Sequence, residues 1–192
     1  MRDAWDRYFT PVEVAERIVR RVWQNPARVL EPSCGAGAFL EAIHRVDPEG
    51  TAKVHAIDPA VLPTLHGKQQ FRKTSLELFD VEFRYNLIIG NPPFSLWRDH
   101  VELAAKLLAP DGLLAFLLPS GSLHGRRRRK WWRGFRKGPL RFRGMMPLDG
   151  RVAVTLVGEP RPSPPKQDYS VFIWKRTDDM AAPVIFPHIE VP

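Results

Sequence analysis

At 192 residues and 44% hydrophobic content, the chain is long enough to bury one ordinary core and short for two, so a single domain is expected. No segment approaches the roughly 20 uninterrupted apolar residues of a membrane span, the first ten residues contain no apolar signal core, and one cysteine, Cys34, permits neither an intrachain disulfide nor a cysteine-based metal cluster. A soluble cytoplasmic protein without membrane partners is expected, and its 29 Lys and Arg against 21 Asp and Glu, a formal charge of +8, favour polyanionic ones.

In chain order, Tyr8-Phe9-Thr10-Pro11 leads into Val12 to Val22, whose apolar positions recur at helical spacing. From Arg28 to Pro119, short apolar runs alternate with helix-like stretches, the pattern of a parallel sheet with crossover helices. The expected strands are Val29-Leu30, Val54 to Ile57, Leu87 to Ile89 and Leu113 to Leu118. Each is followed by turn chemistry, so functional loops are expected at strand C-termini, the edge at which open α/β sheets bind ligands. Leu96 to Leu108 spaces Val101, Ala104, Ala105 and Leu108 as a helix, with Pro110-Asp111-Gly112 ending it before the next strand.

Composition changes beyond Gly121. Residues 126–143 carry ten Arg or Lys and no acid, with Trp131, Trp132, Phe135 and Phe142 interleaved. Such a run is either a solvated face or a surface that neutralises phosphates and stacks on bases, and the interleaved aromatics favour nucleic acid. The residues concerned are Arg126, Arg127, Arg128, Arg129, Lys130, Trp131, Arg133, Arg136 and Lys137. Arg151 to Val157 and Tyr169 to Trp174 are expected to form an antiparallel pair closing the sheet, and Pro183 onward a loosely held tail. The single domain thus divides into residues 1–25 (first motif and helix), 26–120 (core), 121–150 (basic segment), 151–176 (closing strands) and 177–192 (tail).

Three segments carry chemistry. In Glu31-Pro32-Ser33-Cys34-Gly35-Ala36-Gly37-Ala38-Phe39, the glycines let backbone approach a ligand where side chains would collide. The spacing lacks both the third glycine of the dinucleotide fingerprint and the lysine of a phosphate loop, which disfavours a pyrophosphate; the plain alternative is a tight turn. Asp58, about 20 residues on at the end of the next strand, suits either ribose hydroxyls or a helix cap before Pro59.

Asn91-Pro92-Pro93-Phe94 is the most informative. Two prolines stiffen the loop and remove two backbone donors while leaving carbonyl acceptors at fixed positions. An exocyclic amino group has two N–H donors, which the Asn91 side-chain oxygen and the Pro92 carbonyl can accept, leaving its nitrogen a competent nucleophile. Phe94 would stack on the base, which must be flipped out of a duplex or already unpaired. A rigid strand-to-helix turn is the plain alternative.

With these residues in view, the chain resembles class I S-adenosylmethionine-dependent amino-methyltransferases of the DNA adenine type, in the motif order of the gamma group, over about residues 8–120. The resemblance implies a Rossmann-like α/β fold: a mostly parallel sheet with helices on both faces and a C-terminal antiparallel strand pair. It implies S-adenosyl-L-methionine as cofactor, no metal, and DNA as partner. It assigns Tyr8, Phe9, Thr10 and Pro11 to the methionine part, Glu31, Pro32, Ser33, Gly35 and Gly37 to the glycine-rich cofactor loop, and Asp58 with Pro59 to the ribose. Catalysis falls to Asn91, Pro92, Pro93 and Phe94, with Asn91 also near the cofactor. The family places an acid after the third strand for the cofactor's adenine; here Lys73 to Glu77 stands there, and Ser75 with Leu76, or alternatively Glu77 or Asp80, fills the role. Restriction-associated members also carry a large target-recognition domain after the core, whereas this chain ends at Pro192, so tight sequence specificity is not expected.

Cys34 is expected to be a small residue beside the cofactor, since direct transfer to an amino group needs no covalent enzyme intermediate, and the six histidines have no metal-ligand spacing. Methylation of adenine in structured RNA, of a protein glutamine amide, and a non-catalytic nucleic-acid-binding module of the same fold are the competing functions; Tyr8 to Pro11 and the basic segment favour DNA.

Overall fold

The computed structural model describes residues 8–135, 138–149, 155–156, 168–180 and 183–190. Strand β1 (Tyr8–Phe9) leads into α1 (Val12–Val22), followed by β2 (Arg28–Glu31), α2 (Ala38–Val46), β3 (Lys53–Ile57) and β4 (Gln70–Arg72). Next come β5 (Tyr85–Gly90), α3 (Trp97–Leu107), β6 (Leu108–Pro119), α4 (Arg126–Phe135) and β7 (Leu140–Asp149). Then follow β8 (Thr155–Leu156), β9 (Tyr169–Arg176), β10 (Val184–Ile185) and β11 (Ile189–Glu190).

The main sheet runs β4-β3-β2-β5-β6-β9-β7, with β10 and β11 beside β7. Strands β2 to β6 are mutually parallel and β9 is antiparallel to both β6 and β7. This is the mostly parallel sheet with a C-terminal antiparallel pair that the alternating runs and the family resemblance lead one to expect. Strand order reverses between β2 and β5, creating the crevice in which ligands of open α/β sheets bind.

Both faces are dry because successive strand residues point opposite ways. Leu87 and Ile89 of β5 and Ala115 and Leu117 of β6 face α1 and α2. Ile88, Leu114, Phe116 and Leu118 face α3, whose Trp97, Val101, Ala104 and Leu107 are buried at helical spacing. Helix α1 likewise buries Val14, Ala15, Ile18, Val19 and Val22. It ends where Trp23 turns extended and Asn25 takes a positive φ of 50° before Pro26.

Three elements differ from expectation. Pro110-Asp111-Gly112 lies inside β6 rather than ahead of it: Leu108 already pairs with Tyr85, and pairing resumes at Leu87 and Leu113. The intervening residues form a bulge with Asp111 at φ 57°. Gly112 is needed there, because a Cβ would come within 2.9 Å of the Ala109 and Tyr85 carbonyl oxygens. The strand beside β9 is Leu140–Asp149, not Arg151 to Val157; within that latter segment the described residues Thr155 and Leu156 pair with Phe9 and Tyr8. The alternating burial of Leu140, Gly144, Met146 and Leu148 marks β7 as a sheet strand although arginines interrupt its apolar residues. Finally, β4 adds an edge strand whose Gln70 and Arg72 are exposed. No helix among the described residues is long and apolar enough to cross a membrane.

Candidate active site

The loops after β2, β3 and β5 meet at the switch point. The β2 loop is tied to β3 by its own backbone, Cys34 N–H donating to the Ile57 carbonyl at 3.1 Å. Asp58, 5% exposed, completes the join: one carboxylate oxygen accepts from Gly35 N–H at 3.1 Å and the other from Ala60 and Val61 N–H at 2.8 Å each. The cap-like role and the ligand-facing position thus coexist at one side chain, while the next residue, Pro59, is exposed. Gly35 (φ 50°) and Gly37 (φ 100°) take conformations that disfavour side chains. A Cβ on Gly37 would meet the Thr64 carbonyl oxygen at 3.1 Å.

Beneath this loop lies Glu31, 1% exposed, whose carboxyl accepts from Ser33 N–H at 3.0 Å. Burial pushes its pKa up to about 8, and the Asp58 charge adds to the rise. Burial also drives the Cys34 thiol far above the thiolate range, with the same two carboxyls contributing, so Cys34 is no nucleophile at neutral pH. Pro32 is buried beside them and Ser33 half-buried.

Asn91 follows directly on β5. Its side-chain nitrogen donates to Thr10 Oγ at 3.1 Å, which brings the first described turn of the chain onto the loop across 81 residues of sequence. Pro92 is buried, and the Pro93 carbonyl accepts from Leu96 N–H at 2.9 Å to start α3. Half-buried Phe94 lies against Tyr169 of β9, ring centroids 5.5 Å apart. Pro11 accepts from Ala15 N–H at 3.0 Å in the first turn of α1; Tyr8 and Phe9 are described by their backbone pairing alone.

Ser75 is half-buried after β4, and Leu76 is buried in the cluster under α3. The side chain of Leu76 is thus committed to the core, leaving its backbone to face a ligand.

The basic run divides by side chain. It forms α4, on which Arg129, Lys130 and Arg133 are exposed. The aromatics turn the other way. Trp131 packs edge-on against Trp97 with centroids 4.9 Å apart and donates its indole N–H to Glu102 at 2.6 Å. Trp132 donates to the Ser122 carbonyl at 3.2 Å and stacks parallel on Trp174. Phe142 lies in β7 and packs on Trp132 and Trp174. These three rings seal the sheet instead of offering a stacking platform, because an indole beside an apolar sheet face gains more by burial than by standing in solvent. Arg128 also turns back, to the Gly121 carbonyl. The side chains of Arg126, Arg127 and Phe135 and the whole of Arg136 and Lys137 lie outside the described residues.

Two relationships escaped sequence reasoning: the contact of Thr10 with Asn91, and the stacking of the Glu31 carboxyl on Gly90, where a Cβ would come within 2.2 Å of its oxygen. Only the glycine immediately before Asn91 hinted at the second.

No family model matches the chain. It is 29% identical over 141 residues to the Type II methyltransferase M.CvrRI of Paramecium bursaria Chlorella virus XZ-6E, spanning 62% of this chain and 37% of that relative's length. Among solved structures it superposes on a modification subunit assigned to a type I restriction enzyme from Vibrio vulnificus YJ016 (TM-score 0.69, 19% identity, 97% of this chain and 48% of that one). It also superposes on a chain from Listeria monocytogenes assigned to the class I S-adenosylmethionine-dependent methyltransferases (TM-score 0.62, 15% identity, 92% and 61%). The fold is therefore the Rossmann-like fold of class I methyltransferases.

Proposed function

We propose that the chain is an S-adenosylmethionine-dependent methyltransferase acting on the exocyclic amino group of adenine in DNA, with the base flipped into the Asn91–Phe94 loop. The observation that carries this reading is the position of that loop, at the C-terminal end of β5 beside the glycine loop and Asp58 at the switch point. Similarity to a Type II methyltransferase supports methyl transfer and DNA together.

The residues at the crevice suit the cofactor. Backbone around Gly35 and Gly37 is open to close approach, and two buried carboxyls, Glu31 and Asp58, favour a cationic ligand that carries ribose hydroxyls. Residues 8–11, 31–37, Asp58, Pro59 and the backbone around Ser75 and Leu76 would hold it. S-adenosylmethionine supplies, when bound, an electrophilic methyl group.

The chain's own groups prepare the nucleophile. The Asn91 side-chain oxygen and the Pro92 carbonyl accept the two N–H bonds of the amino group, so that its lone pair is directed outward and developing positive charge meets fixed acceptors. Phe94, backed by Tyr169, holds the base plane. The outer face of α4 attracts phosphates.

The test is incubation with radiolabelled cofactor and, in separate reactions, duplex DNA, single-stranded DNA, RNA and total protein, followed by identification of the labelled atom. Label on adenine N6 of DNA is expected; label confined to RNA or to protein glutamine, or no transfer despite cofactor binding, overturns the reading. Asn91→Ala is expected to abolish transfer while cofactor binding survives.

A further inference from the structure

We propose that Thr10 is a positioning residue for Asn91: its hydroxyl, by taking the side-chain nitrogen, makes the Asn91 oxygen the branch that meets the target amino group. The inference rests on the methyl-transfer reading above and adds to it a residue whose task is orientation.

A carboxamide is nearly symmetric in shape and opposite in function across its two branches. The nitrogen has two N–H donors and accepts nothing; the oxygen only accepts. An amino group presented to the nitrogen would face donor against donor, so an unoriented Asn91 would spend part of its time in a non-productive state. The nitrogen has to stand where an acceptor is, and Thr10 Oγ, 3.1 Å away, is one. The oxygen then lies on the opposite branch by covalent geometry alone.

Thr10 is itself well held. The residues before it pair with Thr155–Leu156, and the residue after it opens α1 through the Pro11–Ala15 hydrogen bond. Its side chain is 6% exposed, so water competes little for the contact, and its β-branched Cβ restricts χ1. Asn91 is fixed from the other side by β5 and by the proline that follows. Two segments 81 residues apart therefore present one amide in one orientation.

The test compares Thr10→Val, which keeps shape and removes the hydroxyl, with Thr10→Ser, which keeps it. Three quantities are read: kcat for transfer to DNA, Kd for S-adenosylmethionine by calorimetry, and exchange of the Asn91 side-chain amide protons by 15N NMR. The expected result is a kcat lower by about tenfold in Thr10→Val, the scale of one misoriented hydrogen bond. Cofactor Kd should stay within about twofold, and Thr10→Ser should keep near-native kcat. Inhibition by poly(dI), whose bases carry a carbonyl in place of the amino group, should strengthen relative to poly(dA) in Thr10→Val, because a freed amide can turn its nitrogen outward.

Native kcat in Thr10→Val, or a loss carried wholly by cofactor Kd, overturns the inference. Should Thr10→Val fail to fold, the wild-type protein decides: Asn91 amide protons exchanging as fast as those of exposed asparagines overturn it, and slowed exchange supports it. A wild-type protein that transfers methyl to nothing defeats the enzymatic reading instead, and does so whatever the NMR result.

Discussion

The Glu31 carboxyl lies directly on Gly90, where a Cβ would come within 2.2 Å of its oxygen. The residue preceding Asn91 is thus small because the strand beside it carries a buried acid. Gly90→Ala should overpack this contact and cost about 1–3 kcal/mol. For a chain of this size each kcal/mol lowers Tm by roughly 2–4 °C. Calorimetry should show that loss, and Gly90→Ala combined with Glu31→Ala should lose less than the two single variants added. Strict additivity would show that the contact is not shared.

Glu31 also makes stability depend on pH. Its pKa rises from 4.5 to about 8 on folding, principally through burial. Between those values the folded chain holds a proton that the unfolded chain has released, so stability is full below pH about 4.5 and falls as pH rises through about 8. Glu31→Gln removes this dependence. The variant should gain Tm relative to the wild type from pH 5 to 8, with little further gain above. A constant difference across that range would place the titration elsewhere.

How much of this was legible in the sequence depends on where each element's information lies. Strands β2, β3, β5 and β6 are buried on both faces and appear as apolar runs, and the loops after β2, β3 and β5 carry glycine, proline and asparagine because their backbones turn sharply. Those elements were readable, and with them the crevice. Strand β7 was not: Arg141 and Arg143 interrupt it, the first reaching the Gly138 carbonyl and the second pairing with Asp179 at 3.0 Å, partners that only the folded chain supplies. Strand β4 has three residues and its pairing comes entirely from β3. The Pro110-Asp111-Gly112 turn signal was real, but β5 holds residues on both sides of it in one strand. Thr10 and Asn91 meet through tertiary structure alone.

Asp58 is expected to serve fold and ligand together. Its two oxygens accept three backbone N–H groups, so Asp58→Ala leaves buried donors unmet, at a cost on the order of 3 kcal/mol. Asp58→Asn keeps an acceptor on one branch only and should lose less stability, yet weaken S-adenosylmethionine by about tenfold or more, because a ribose diol needs acceptors. Calorimetric Kd together with Tm separates the two effects. Unchanged Kd in both variants would leave Asp58 a cap alone.

The two sides of α4 should fail in different assays. Neutralising Arg129, Lys130 and Arg133, all exposed, should weaken DNA binding and flatten its dependence on salt, with Tm and cofactor affinity nearly unchanged. Each lost phosphate contact lowers the slope of log K against log salt by about 0.9 on duplex DNA. Trp132→Ala attacks the other side, removing a ring that stacks on Trp174 and packs on Phe142. It should cost about 3–5 kcal/mol of stability. At temperatures where the variant remains folded, its salt slope should match the wild type, since an inward ring meets no phosphate. A triple neutralisation that leaves the salt slope intact would make the cationic face of α4 a solvated surface. A Trp132→Ala that binds DNA poorly while fully stable would return the indoles to the interface.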